Sequence, residues 1–248
     1  MPMLSALALL ACATSALQVH PLISSQIVPI ASNNRRTSPR LEASSPSSGA
    51  TDPFEEYPEL LGALDELPVF TLANAEGQPL KFQVGQRIIA VFYADVEAAK
   101  VELAKLDQDL GCDLLTVGLG SAYRLACNDK GMVVPGLAEL RALGAPEDAQ
   151  PLGQELPLFA CMEMTKEGNE GPVLPLFMSY ADCAAAVAEA SDAAEREDPL
   201  QITGLSLAGV VEDSPSGSFS FVPPSVSMEH ITAYVGKGVY WRPVEEKA

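Results

Sequence analysis

The side chains best suited to chemistry in this 248-residue chain are its cysteines, because a thiolate is a good nucleophile and a good metal ligand. There are five of them: Cys12, Cys112, Cys127, Cys161 and Cys183. No two have the C-x-x-C spacing that is typical of redox sites and zinc knuckles. Free cysteine is also among the most buried residue types, so we expect the last four to be small core side chains. A thiol oxidoreductase that uses two of these four stays open as an alternative, and the sequence alone assigns no disulfide.

The other candidates for catalysis do not combine into a site. Of the two histidines, His20 lies in the N-terminal leader, and His230 has no nucleophile motif near it, so we expect a surface histidine. Gly118 and Gly120 form a G-x-G after a predicted strand, but no third glycine and no P-loop lysine follow. The sequence therefore predicts no catalytic residue, no metal ligands and no cofactor, and we expect a protein that is not an enzyme.

The composition indicates an acidic globular protein. Hydrophobic residues make up 48% of the chain and aromatic residues 6%, and the formal net charge is −18. Without the first 42 residues, 12 basic and 32 acidic side chains remain, a charge of −20. Such a charge repels phosphate backbones and anionic lipid surfaces. We therefore expect a soluble protein that binds no nucleic acid and does not insert into a membrane.

The first 50 residues read as a leader in two parts. Residues 4–17 (LSALALLACATSAL) form an apolar run that is shorter than the roughly 20 residues needed to span a bilayer. Small residues end it, which predicts a signal peptide over residues 1–16, cleaved after Ala16. Residues 17–50 are rich in serine, with three arginines and one acidic residue, as in organelle transit peptides. This order resembles the bipartite leader of algae with secondary plastids; ordinary secretion is the alternative.

The rest of the chain contains an internal repeat. Four anchors recur in order at nearly constant offset, and three of the offsets are 89, 85 and 88 residues. The matched pairs are residues 66–70 (ELPVF) with 155–159 (ELPLF), Phe92 with Phe177, 114–123 (LLTVGLGSAY) with 202–211 (ITGLSLAGVV), and 133–135 (VVP) with 221–223 (FVP). Such a pattern indicates a duplication. We predict one domain over residues 51–248, with repeat one at 66–144, a linker at 145–154 and repeat two at 155–236.

Each half also carries the local signals of alternating strands and helices. Residues 88–92 (IIAVF) are a continuous apolar run typical of a buried strand. Asp95 is a good N-cap for a following helix that we expect to end at Gly111, and Ser179 fits the equivalent capping role in the second half. The sequence thus predicts two pseudo-symmetric β-α-β-α repeats in one elongated domain of the α/β class, with α+β as the alternative.

Several of these segments resemble the Tic-twenty-two-like family. The family pattern P-V-F-T-x-x-N-x-x-G-x-P-L matches residues 67–80 (LPVFTLANAEGQPL). Residues 90–99 (AVFYADVEAA), 116–125 (TVGLGSAYRL) and 133–135 (VVP) are similar to later segments of the family in the same order. The resemblance covers about residues 66–222, and it departs from the pattern at Gly118 and Gly136.

The resemblance implies a chaperone of the plastid envelope intermembrane space, which binds unfolded precursor proteins between the outer and inner import translocons. Its partners would be these precursors, their transit peptides and translocon components. Because transit peptides are basic, the acidic chain would attract them. The family implies an apolar groove in each half, and we predict Val133, Val134, Phe221 and Val222 as client-binding residues. A structural subunit stably bound in a plastid complex is the alternative.

Overall fold

The computed structural model describes Phe54 and residues 58–106, 111–168, 171–193, 200–213 and 219–236. The predicted signal peptide, its cleavage after Ala16 and the predicted transit-peptide segment lie outside these residues.

The described chain alternates helices and strands, which confirms the predicted α/β class. The first half consists of α1 (Pro58–Asp65), β1 (Pro68–Ala73), β2 (Lys81–Val84), β3 (Arg87–Tyr93), α2 (Val96–Ala104), β4 (Asp113–Gly118), α3 (Leu119–Cys127), β5 (Gly131–Val134) and α4 (Leu137–Ala142). The second half consists of β6 (Pro157–Cys161), β7 (Lys166–Gly168), β8 (Gly171–Phe177), α5 (Tyr180–Ala193), β9 (Ile202–Ser206), α6 (Leu207–Asp213), β10 (Phe219–Val222) and α7 (Ser225–Gly236). Residues 145–154 between the halves form turns.

Both halves fold into a five-stranded sheet with the same connectivity. In the first, β3 pairs antiparallel with β1 and β2 and parallel with β5, and β1 also pairs antiparallel with β4. In the second, β8 takes the place of β3, with β6, β7 and β10 as its partners, and β9 pairs with β6. The halves therefore differ mainly in the lengths of their elements.

The register corrects one of the sequence anchors. Tyr93 lies opposite Phe70, and Phe177 lies opposite Phe159. Tyr93, and not Phe92, is therefore the equivalent of Phe177. Since successive strand side chains point to opposite faces, a one-residue error exchanges the two faces of the sheet. Phe92 faces the core that the two halves share, whereas Tyr93 and Phe177 face the helices that cover each sheet.

Local capping signals account for the starts of helices α2 and α5. The Asp95 carboxylate accepts the backbone N–H of Glu97 at 2.9 Å, and the Ser179 hydroxyl accepts that of Asp182 at 3.3 Å, so both predicted caps are confirmed. The predicted end of the first helix at Gly111 is wrong, because α2 ends at Ala104. The buried side chains of α2 are those of Val96 and Ala99, both in its first turn.

The two sheets share a single core. One cluster contains inward-facing side chains from both halves, among them Val69 of β1, Phe92 of β3, Leu158 of β6 and Leu176 of β8. The alternate side chains of the same strands pack against helices on the other face of each sheet. Strands buried on both faces read as continuous apolar runs, which is why the strand segments stood out in the sequence.

The last helix of each half packs on the sheet of the other half. Leu143, at the end of α4, packs against the cluster formed by Phe159 and Cys161 of the second sheet. Ile231 of α7 packs against Phe70 and Val96 of the first half. This reciprocal exchange ties the halves together on both outer faces.

Candidate functional site

The four residues predicted to line client grooves occupy equivalent positions but are not equally accessible. Val133 and Val134 of β5 are 9% and 4% exposed, while Phe221 and Val222 of β10 are half-buried. Val133 and Phe221 face the shared core, whereas Val222 packs on the opposite side, against the cluster that contains Cys161. The buried valines offer almost no surface to a client, so of the four residues Phe221 and Val222 keep some contact surface.

Phe221 also lines an open cleft of about 290 Å³. One wall comes from the end of α1, with Ala63 and Glu66, and the other from β7 and β10. Lys166 and Glu167 bring one positive and one negative charge to it. The cleft is therefore small and of mixed polarity, and its size suits a single side chain better than a length of extended chain.

The G-x-G at Gly118 and Gly120 serves the packing of helix α1 against helix α3. A Cβ on Gly120 would lie 2.6 Å from the carbonyl oxygen of Leu61, and one on Gly118 would collide with Asp65. The Asp65 carboxylate accepts the backbone N–H of Ser121 at 2.7 Å and its hydroxyl at 3.0 Å. A carboxylate thus occupies the helix N-terminus where a phosphate would have to bind.

Cys161 and Cys183 are buried, as expected from the sequence, whereas Cys127 is exposed and Cys112 is half-buried. No disulfide joins the four that lie in the described part of the chain. Burial raises the pKa of Cys183 to about 11, and the neighbouring Cys161 adds to the shift. Burial, together with its thiol donating to Glu163 Oε2 at 3.2 Å, raises the pKa of Cys161. Both side chains are therefore thiols at neutral pH, which opposes the thiol oxidoreductase alternative for this pair.

His230 takes part in an aromatic cluster at the junction of the halves. Its ring lies edge-on to Phe70, with ring centroids 5.7 Å apart, and 4.6 Å from the ring of Tyr234. The Tyr234 hydroxyl donates to the Asp113 carboxylate at 3.2 Å, linking α7 to β4. These contacts give His230 a packing role, where the sequence suggested a surface histidine.

The carboxyl group of Glu139 lies where helices of the two halves meet. Burial raises the pKa of Glu139 on α4, and the nearby Asp95 and Asp182 carboxylates raise it further, against an opposing hydrogen bond from its own backbone. Asp182 itself accepts the backbone N–H of Ser225 at 2.8 Å and so caps α7.

Among the described residues, no group of three His, Cys, Asp or Glu side chains could hold a metal ion. Nor, over the same ranges, does any helix combine the length and apolarity needed to cross a bilayer.

Strands β4 and β9 each have an outer edge that no sequence motif marks. Within the described ranges, β4 pairs only with β1, and β9 pairs only with β6, so each has one edge without a strand partner. These edges lie at equivalent places in the two sheets. Only the strand pairing reveals them, because β4 and β9 carry none of the lysines or prolines that often mark an edge strand.

Comparison with solved structures identifies the fold. Tic22 from Plasmodium falciparum superposes with a TM-score of 0.62 at 17% sequence identity, covering 73% of this chain and 99% of that one. Anabaena Tic22, a protein-transport structure, gives a TM-score of 0.54 at 19% identity, covering 75% of this chain and 98% of that one. No protein-family model matches the sequence, and no curated protein matches it. The resemblance seen in the sequence segments is therefore confirmed at the level of structure: this chain has the Tic22 fold.

Proposed function

We propose that this protein is a plastid protein import factor, a chaperone of the envelope intermembrane space that binds unfolded precursor proteins between the outer and inner translocons. The observation that carries the proposal is the match to 99% and 98% of the two Tic22 chains, one of which is a protein-transport structure. The likeness extends over the whole of those chains and is not confined to one common supersecondary motif.

Charge supports this role. The chain after residue 42 has a formal charge of −20, and precursor transit peptides are basic and poor in acidic residues. Opposite charges of this size raise the rate of encounter more than the final affinity. Such an arrangement suits a factor that receives many precursors and passes them on.

The site chemistry is consistent with binding rather than catalysis. The glycine turn and two of the four candidate cysteines have structural roles, since Asp65 occupies the turn and burial raises the pKa of Cys161 and Cys183. We propose that the protein works without a cofactor.

The location is tested with the leader itself. Residues 1–50 and residues 17–50 are each fused to a fluorescent protein and expressed in an alga with a secondary plastid. We expect the first fusion to reach the plastid periphery and the second to stay in the cytosol, since it lacks the segment predicted to start secretion. Release of the first fusion into the medium would instead support ordinary secretion.

The function is tested by crosslinking in isolated plastids. A precursor is arrested during import and photo-crosslinked, and the products are probed for this protein. We expect crosslinks to several different precursors, which disappear when import is completed. A constant crosslink to one stoichiometric partner, with none to precursors, would favour the structural-subunit alternative.

A further inference from the structure

The outer edge of β4 has backbone groups in the arrangement that an additional strand requires. The N–H of Leu119 donates to the carbonyl of Leu67 at 2.9 Å, and the register continues with Pro68 opposite Gly118. In an antiparallel pair, hydrogen-bonded positions alternate with positions that point away from the partner. Thr116 therefore turns both its N–H and its C=O away from β1. Among the described residues, no hydrogen bond reaches these two groups.

This edge lacks the features that usually protect a sheet edge. Natural proteins place lysine, proline or bulges on such strands to prevent the addition of another strand. The short strands β2 and β7 follow this rule, since they begin with Lys81 and Lys166. By contrast, β4 (DLLTVG) carries no lysine, arginine or proline, and its middle residues are apolar or β-branched. Among the described residues, no strand pairs with its outer edge.

Carboxylates lie near both ends of β4. Asp113 begins β4 and is exposed, and its carboxylate accepts the neighbouring Leu114 N–H at 2.8 Å. At the other end, the Asp65 side chain lies against Gly118. Five strand steps of roughly 3.4 Å separate the two ends, a span of about 17 Å. A segment bearing basic side chains about five or six residues apart would match this arrangement.

We infer that the β4 edge binds an extended, basic segment of an unfolded precursor as an added strand. This inference rests on the proposed function and names the element that holds the client. An extended backbone supplies alternating donors and acceptors at strand spacing whatever its sequence, so one edge serves many precursors. The negative charges of Asp65 and Asp113, whose carboxylates also accept hydrogen bonds within the protein, favour segments with basic side chains.

The equivalent edge of the second half is less suitable. Strand β9 (ITGLS) is one residue shorter and carries no carboxylate. The position of Thr116 is taken there by Gly204, and glycine weakens a strand and gives an incoming strand no side chain to pack against. The binding edge is therefore assigned to the first half alone.

Proline at position 116 tests the inference. In the full-length protein, Thr116→Pro removes the outward N–H and leaves the bonds between β4 and β1 in place, because an edge strand tolerates proline where its N–H faces solvent. Thr116→Val is the matched control, since it changes the side chain and keeps the N–H. With an unfolded plastid precursor that retains its transit peptide as the probe, we expect the proline variant to bind about fivefold more weakly or worse, and the valine variant to bind like the wild type.

The outcomes separate the edge from the function. Equal binding by a folded proline variant would overturn the edge assignment while leaving the import role intact, whereas failure of the wild type to bind the precursor would count against the proposed function itself. If the proline variant does not fold, hydrogen exchange in the wild type decides: the Thr116 amide should exchange more slowly when precursor is added. Unchanged exchange would overturn the inference, and so would protection that depends only on protein concentration, because a second copy would then occupy the edge.

Discussion

Removing the Asp65 carboxylate should destabilise the fold measurably. Asp65 lies 56 residues before Ser121, yet it accepts both the backbone N–H and the hydroxyl of that residue. The N-cap position of α3 is Gly118, which has no side chain to do this. Loss of a helix N-cap typically costs about 0.5–2 kcal/mol. Because Asp65→Ala also breaks a contact between two helices, we expect a loss of about 1.5 kcal/mol in the free energy of unfolding.

Urea unfolding followed by circular dichroism measures this change. A loss of about 1.5 kcal/mol corresponds to a fall of roughly 3–6 °C in the melting temperature of a chain of this size. Glu189→Ala, at an exposed position on α5, is the control, and we expect it to change stability by less than about 0.5 kcal/mol. Equal stabilities for the two variants would refute the capping role of Asp65.

Three further predictions concern buried polar groups. Thr71→Val should stabilise the protein by about 1 kcal/mol in urea unfolding, because the Thr71 hydroxyl is buried without a hydrogen-bond partner among the described residues; a loss of stability would show that it has one. Because burial and nearby carboxylates raise the pKa of Glu139 in the folded state, the native state binds the proton more tightly than the unfolded state. The contribution of Glu139 to the free energy of unfolding should therefore grow as the pH falls from 7 through its folded-state pKa and level off below the unfolded pKa. Glu139→Gln should remove this pH dependence from the measured free energy of unfolding. An unchanged profile would contradict it. A maleimide at pH 7 should label the exposed Cys127 well before Cys183, whose pKa is about 11. The order of labelling is followed by mass spectrometry, and earlier labelling of Cys183 would contradict this prediction.

Local structure followed closely from the sequence where neighbouring residues decide it. Asp95 and Ser179 cap their helices through amides two and three residues away, so the signal and its effect lie in one short stretch. Gly144 has a φ of +91° just after α4, as expected of a glycine that ends a helix. Strand β7 does not show in the sequence, because a three-residue strand is too short to show alternation. The seven residues of helix α6 are likewise too few to show a clear helical period.

Long-range features did not follow from the sequence. The exchange of α4 and α7 between the halves depends on which sheet lies next to each helix, and both helices have apolar faces that would suit either sheet. The cap that Asp65 supplies to α3 comes from another element. The free edge at Thr116 is likewise defined by the strands that pair with β4 and by those that do not.

The predicted groove residues show why an apolar repeat is a poor guide to a binding site. Val133 and Val134 are predicted as groove residues because they recur as Phe221 and Val222 in the second half. The recurrence has a structural basis in the parallel pairing of β5 with β3 and of β10 with β8. A duplicated core strand and a duplicated groove strand have the same sequence signature, and only the exposure of the side chains separates them.

Salt-dependent binding to an unfolded precursor tests the central claim most directly. The full-length protein is titrated against a plastid precursor, with and without its transit peptide, from about 50 mM to about 500 mM salt, while aggregation of the precursor is followed by light scattering. We predict micromolar binding that weakens with salt, a smaller salt dependence without the transit peptide, and suppressed aggregation. No binding at any salt concentration would contradict the assignment as an import chaperone.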